Sequence, residues 1–308
     1  MLSRIAESLF WIGRYVERAD DTARILDVHL QILLEDSWLE EGEACRALLS
    51  VMGVDPPEHG VDRNFVLERL AYDSVTPSTI TGALGAAREN ARRARETVST
   101  EMWETLNTTF INIEWAMTTS TTPHQFFGWV RERATLVAGI ADSTMTRDDA
   151  WRFLVLGRSI ERADMTARLL ATSAIGASAS TWTTLLRSCG AYESYLRTYR
   201  GVASDERAAQ FLLLDRLFPR SVVHALHTAE ECLAELSPAT ERAGVADTAR
   251  RRLGRARTGL EYRPLDEVVD ELPDEMEQVQ VACSAASDAI ARRYFPRGVT
   301  TSWLEEVS

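Results

Sequence analysis

The sequence contains no lysine: all 34 basic residues of the 308-residue chain are arginines. A Walker A loop, a Schiff base and a pyridoxal phosphate anchor each need a lysine amine, so the sequence excludes all three. The motifs G-x-G-x-x-G, G-x-S-x-G and H-E-x-x-H are also absent, which argues against the nucleotide-binding, hydrolase and zinc-protease sites that they mark. Arginine offers instead permanently charged, bidentate recognition of carboxylate or phosphate.

Cysteines and long apolar runs are scarce as well. Four cysteines lie far apart and form no C-x-x-C motif, which indicates apolar packing residues in a reduced compartment. No uninterrupted apolar run approaches the roughly 18–20 residues that cross a membrane, and Glu7 interrupts the apolar stretch near the N-terminus where a secretory signal would lie. We therefore expect a cytoplasmic protein without membrane contact.

The charge balance limits the partners and cofactors. A net charge of −12 argues against nucleic acid, which needs a basic surface. His224, His227 and Glu231 have a spacing that could place metal ligands on one helix face. A di-iron carboxylate bundle, however, needs paired Glu-x-x-His motifs, and the sequence has none. We expect no metal and no cofactor.

One stretch occurs twice. GRYVERADDTARIL begins at Gly13, and GRSIERADMTARLL begins at Gly157, 144 positions later; ten of the fourteen aligned residues are identical. Turn-and-helix patterns after each copy also correspond, since Pro219 follows Pro77 by 142 positions. The sequence therefore predicts an internal duplication, with repeats at roughly 1–145 and 146–296 of a single domain.

The repeated stretch has the periodicity of an amphipathic helix, and its charged face leaves two interpretations open. A solvated face would hold i,i+3 and i,i+4 pairs, each contributing only ~0.2–0.5 kcal/mol. An inward face would form a buried network or line a polar cleft, and Gly13 and Gly157 would then mark a close helix approach. The candidate network residues are Arg14, Glu17, Arg18, Asp20, Arg24, Arg158, Glu161, Arg162, Asp164 and Arg168.

Three stretches carry a resemblance to a known family: MLSRIAESLFWIGRYVERADDTARILD at the start, AARENARRARETVSTEMWETLN at 86–107, and SIERADMTARLL in the second copy. They resemble the bacterial alpha-E family, an all-helical family named for its repeated Glu-Arg motif, and the resemblance covers essentially the whole chain. It implies an association with circularly permuted ATP-grasp amide ligases, often alongside transglutaminase-like proteins. It also raises Arg88, Asn90 and Arg95 as secondary cleft candidates, although a solvated helix face would explain them equally.

The remaining patterns predict an all-α fold, a bundle of about a dozen helices built from two duplicated halves. Thr76-Pro77-Ser78 predicts a helix start with proline at the first helical position, and 182–199 is predicted as one helix. We expect residues 297–308 to form a mobile tail.

Two functional hypotheses remain. The favoured one is a non-catalytic accessory protein of an amide-ligase system, whose charged cluster is structural or binds a partner or a peptide-like, carboxylate-bearing ligand. The alternative is an enzyme that uses the Glu/Arg cluster for acid-base or acyl-transfer chemistry. Neighbouring arginines lower carboxylate pKa values, which favours binding over proton transfer, and no catalytic residue is assigned.

Overall fold

Every regular element of the described chain is helical. A computed structural model describes residues 2–35, 40–173, 180–200, 204–238 and 242–295, and these ranges contain no strand, which confirms the all-α class. The helices are α1 (Ser3–Glu35), α2 (Glu41–Val51), α3 (Arg63–Leu67, continued by a π-helical turn at Glu68–Tyr72), α4 (Ile80–Arg93), α5 (Thr100–Ile111), α6 (Ile113–Thr119), α7 (Pro123–Thr144), α8 (Asp149–Ser173), α9 (Ser180–Ser188), α10 (Tyr192–Tyr199), α11 (Asp205–Leu214), α12 (Val222–Leu236), α13 (Thr248–Glu261), α14 (Leu265–Asp270) and α15 (Leu272–Tyr294).

Helices α1 and α8 carry the two copies of the repeated stretch and pack against each other at the centre of the bundle. Helix α1 is also covered by α4 and α7, and α8 by α12 and α15. A Cβ atom at Gly13 would overlap the carbonyl oxygen of Leu154, and one at Gly157 would overlap that of Phe10. The predicted close approach at both glycines is thus confirmed, and it brings the charged faces of α1 and α8 together.

The turns before α4 and α12 have the same construction. Thr79 Oγ1 accepts a hydrogen bond from the Gly82 amide at 3.0 Å, and Ser221 Oγ accepts one from the His224 amide at 3.1 Å. The prediction of a helix start at Thr76-Pro77-Ser78 was wrong by about three residues. Pro77 lies in a turn closed by a hydrogen bond from the Thr79 amide to the Thr76 carbonyl, and the Thr79 hydroxyl caps the helix instead.

The predicted single helix at 182–199 is two helices. Gly190 has a φ of +62°, and the Ala191 amide donates to the Leu186 carbonyl at 2.7 Å, which ends α9 in a left-handed glycine cap. A Cβ atom at Gly190 would lie 2.8 Å from Arg24 Nη1, so the break also makes room for a network residue.

No helix among the described residues combines the length and the apolar character that crossing a bilayer requires. The predicted tail at 297–308 lies outside the described residues.

Candidate functional site

Glu161 on α8 is buried and held by two arginines of α1. Its Oε2 accepts a hydrogen bond from Arg14 Nε at 2.6 Å, and its Oε1 accepts one from Arg18 Nε at 2.6 Å. Burial opposes ionisation, but the charges of Arg14 and Arg18 outweigh it and lower the pKa of Glu161 to about 2. The carboxylate is therefore ionised throughout the neutral range.

Glu17 on α1 is in the corresponding position. Arg162 Nε of α8 donates to its Oε1 at 2.5 Å, and Arg220 Nη1 lies 2.8 Å from the same oxygen. Its pKa is lowered, since the positive charges of Arg162 and Arg220 outweigh burial. The arginine of each Glu-Arg dipeptide thus binds the glutamate of the other dipeptide, and the charged faces of α1 and α8 face each other rather than solvent.

Arg220 enters this network from the turn before α12. It contacts three buried carboxylates of α1: those of Glu17, Asp20 and Asp21. Oxygens of these three carboxylates lie within 4.8 Å of one another, a spacing that a metal ion could bridge. Because the Arg220 guanidinium contacts all three carboxylates, it supplies the positive charge that a cation would bring.

Asp21 has the most perturbed carboxyl of this group. Burial, reinforced by the negative charges of Glu17 and Asp20, raises the pKa of Asp21 to about 8 despite Arg220. Its counterpart in the second copy is Met165. The first copy therefore carries an additional carboxylate, which faces an additional arginine.

Two further pairs of predicted network residues each form within one helix. Arg24 Nε donates to both carboxylate oxygens of Asp20 at 3.1 Å, and Arg168 Nε donates to Asp164 Oδ2 at 2.9 Å. These i,i+4 pairs extend the network along α1 and α8.

A pocket of about 170 Å³ opens beside the network, between α1, α7 and α8. The small side chains of Ala134, Ala138 and Ala141 on α7 form one wall, and Arg158 and Arg162 of α8 lie among the polar lining groups. This pocket is a concave feature that adjoins the charged cluster.

The secondary candidates lie apart from that pocket. Arg88 Nε donates to Asn107 Oδ1 at 3.1 Å, and Arg88 and Arg95 both lie over the ring of Trp103. Asn90 Nδ2 donates to the Ala86 carbonyl of its own helix at 2.8 Å. Arg88 and Arg95 thus contact α5, and none of the three candidates lines the pocket.

Sequence reasoning did not place Arg220 and Asp21 among the candidate site residues. A signal was present, because the first copy has Asp21 where the second has Met165, and the turn before α12 has Arg220 where the turn before α4 has Ser78. An acid that has no counterpart in the other copy, and a base that has no counterpart in the other turn, indicate that the two residues pair with each other.

The fold and the site define a class of protein: a helical protein whose two central helices, α1 and α8, are joined by reciprocal Glu-Arg contacts. The sequence model of the Alpha-E family, described as a predicted alpha-helical domain with a conserved ER motif, matches residues 1–295. The chain belongs to the Alpha-E family.

The relatives of this chain carry no functional description. It is 26% identical over 266 residues to an uncharacterised protein of Mycobacterium bovis, and equally to uncharacterised proteins of two Mycobacterium tuberculosis strains. In each case the match covers 76% of this chain and 30% of the relative, so the chain spans less than a third of those proteins. No solved structure matches it.

Proposed function

We propose that this chain is a cytoplasmic, non-catalytic accessory protein of an ATP-grasp amide-ligase system. The Glu-Arg network holds its fold, and the cleft beside the network takes a partner or a peptide-like ligand that bears a carboxylate. The association with a ligase rests on the resemblance to the family.

The observation that carries the proposal is the state of the two motif glutamates. Each is buried, contacts two arginines and has a lowered pKa. A general acid or base near neutral pH needs a pKa close to 7 and an exchangeable proton. Glu17 and Glu161 meet neither condition, so they act as fixed structural charges.

The residues also lack the apparatus that activates a carboxylate with ATP. The sequence has no lysine and no glycine-rich phosphate loop, and the cluster of Glu17, Asp20 and Asp21 that could bind Mg²⁺ contacts Arg220 instead. The activation step therefore belongs to a partner. The greater length of the mycobacterial relatives fits this division, because there the matched region is one part of a larger polypeptide.

The proposal includes an internal duplication as the origin of the site. Its support is the reciprocity of contacts between positions 144 apart: Arg18 with Glu161 and Arg162 with Glu17, and Gly13 with Leu154 and Gly157 with Phe10. A two-fold relation between the halves would generate both pairs of contacts together.

The enzyme alternative has one observation in its favour, the raised pKa of Asp21, since perturbed carboxyls mark functional sites. Asp21 does not line the pocket, however, and its carboxylate contacts Arg220. It is therefore not placed to exchange a proton with a ligand there.

The test combines a binding and an activity measurement. The tagged chain, cross-linked in its native host and purified, should carry an ATP-grasp protein identified by mass spectrometry, and an equally tagged unrelated helical protein should not. The isolated chain should not hydrolyse ATP. Robust ATP turnover that is lost in a folded Glu161→Gln variant would overturn the accessory role and establish the enzyme.

A further inference from the structure

The pocket between α1, α7 and α8 is lined by an arginine, Arg158, whose Nε donor is unpaired within the described residues. Arg158 Nε is buried and has no hydrogen-bond partner among the described residues, and the nearest carboxylate pairing of Arg158 is to Asp142, at 4.0 Å. Burial, followed by the like charge of Arg162, lowers the pKa of Arg158, while Glu17 and Asp142 oppose that shift. A buried guanidinium in this state is stabilised by an anion.

The corresponding arginine of the first copy is fully engaged. Arg14 Nε donates to Glu161, and Arg14 Nη1 donates to Ser287 Oγ of α15 at 3.1 Å. On the side of Arg158, α7 contributes small side chains and the exposed Thr135 to the pocket wall, and the Arg158 Nε has no hydroxyl partner among the described residues. The repeated sequence thus provides the same arginine twice, and only the second copy leaves its Nε free.

The other charged groups that line the pocket already have partners. Arg162 contacts Glu17, Arg24 contacts Asp20, and Arg220 contacts both of those carboxylates. The lining thus contains four arginines, namely Arg24, Arg158, Arg162 and Arg220, against two carboxylates. Among these four arginines, Arg158 lies farthest from a carboxylate, at 4.0 Å from Asp142, so a negative charge placed beside Arg158 complements this arrangement.

Apart from the exposed Thr135, the remaining lining is apolar. Ile12, Val16 and Leu154 face the alanines of α7 across the pocket, whose volume of about 170 Å³ holds more than a water molecule. An occupant must therefore present a small apolar body together with its charge. Phosphate lacks such a body, and a dianion would be repelled by Glu17 and Asp20 at the pocket wall.

We propose that this pocket binds a monocarboxylate with a short aliphatic tail, whose carboxylate pairs with Arg158 and whose tail lies against the alanines of α7. The inference rests on the proposed function, because it specifies the carboxylate-bearing ligand of that cleft. Its test uses the isolated chain, so a failure to bind leaves the association with a ligase untouched, and absence of a ligase partner leaves the binding result untouched.

The probe is isovalerate, a branched monocarboxylate, titrated into the full chain by calorimetry and by saturation-transfer NMR. Isovaleramide has the same shape without the charge, and inorganic phosphate has charge without the tail. We expect isovalerate to bind and both comparison compounds to bind at least about ten-fold more weakly, the factor that a charged hydrogen bond provides.

Three variants locate the site. Arg158→Gln removes the guanidinium, and Ala138→Leu fills the pocket from a half-buried position of α7. Ala86→Leu makes the same exchange at a half-buried position of α4 outside the pocket. The first two should weaken isovalerate binding at least about ten-fold, and Ala86→Leu should leave it unchanged.

Thermal unfolding separates the two arginines. Arg158→Gln should keep or raise the melting temperature, because it removes a buried charge without a bonded partner, whereas Arg14→Gln should lower it by leaving Glu161 with one arginine fewer. Absence of isovalerate binding to the wild type, or equal binding by Arg158→Gln, would overturn the proposal. Stronger binding of phosphate than of isovalerate would overturn the carboxylate assignment.

Discussion

The two copies of the repeated stretch share ten residues, and they differ where the site becomes asymmetric. In α1 the additional acid Asp21 contacts Arg220, and Arg14 contacts both Glu161 and Ser287. In α8 the counterpart of Asp21 is Met165, and the counterpart of Arg14 is Arg158, whose Nε is unpaired within the described ranges. The shared residues hold the helices together, and the divergent surroundings create one pocket.

The largest effect we expect is a difference between the two glutamates. Glu161→Ala leaves Arg14 and Arg18 without their carboxylate and should lower the free energy of unfolding by ~3–5 kcal/mol. Glu17→Ala should cost less, because Arg220 retains Asp20 and Asp21 and because Asp21 loses a repulsive neighbour. Urea denaturation of both variants measures the difference. Losses below ~0.5 kcal/mol for both would indicate a solvated face after all.

The two glycines should behave alike. Gly13→Ala and Gly157→Ala each place a methyl group against a backbone carbonyl of the partner helix, and each should destabilise the protein by ~1–3 kcal/mol. Gly139→Ala on α7 is the matched control, since a Cβ there meets nothing within 4 Å and helix propensity then favours alanine by up to ~1 kcal/mol. Thermal and urea unfolding measure all three. A stabilising effect at Gly13 would contradict the close approach of α1 and α8.

A pH dependence of stability up to about pH 8 should come from Asp21, an acid that only the first copy carries. The folded-state pKa of Asp21, raised to about 8, lies above its unfolded value near 3.8, so the folded chain holds an extra proton between these pH values. Asp21 thus makes stability fall as pH rises from about 4 to about 8, with a limit of ~1.4 kcal/mol per pH unit for one proton. Asp21→Asn should remove this slope, and the exposed control Asp274→Asn should keep it. Unfolding free energies measured at about pH 5, 6, 7 and 8, between the unfolded and the folded pKa of Asp21, make the comparison.

Glu161 acts in the opposite direction at lower pH. Its pKa is about 2 in the folded chain, below the ordinary value of 4.5, so its contribution to stability is present above about pH 4.5 and is lost as pH falls toward 2. Glu161→Gln should therefore be least harmful in strong acid. A constant difference from the wild type between pH 2 and 5 would contradict the lowered pKa.

Periodicity and the 144-residue offset predicted the parts of the fold that depend on local pattern. The repeated stretches lie in helices α1 and α8, as their periodicity predicted, and the helical glycines Gly13 and Gly157 indicated the helix crossing. Both follow from residues close in sequence, whose spacing defines a helix face.

The pairing within the site could not be predicted in the same way. Arg18 lies about 100° around the helix from Glu17, so a single helix does not show that it reaches Glu161 of α8. The pocket depends on the small side chains of α7, which lie outside the repeated stretch. The break at Gly190 depends on a left-handed glycine that the apolar pattern conceals.

The central claim is that each motif arginine serves the other motif's glutamate, and a double-mutant cycle tests it directly. Neighbouring residues of a helix do not face each other, so Arg18 should couple to Glu161 and not to the adjacent Glu17. Unfolding free energies of Arg18→Gln, Glu161→Gln, Glu17→Gln and the two doubles containing Arg18→Gln supply both cycles. We predict a coupling of at least ~1 kcal/mol for Arg18 with Glu161 and about zero for Arg18 with Glu17. Equal coupling in the two cycles, or coupling to Glu17 alone, would contradict the reciprocal network.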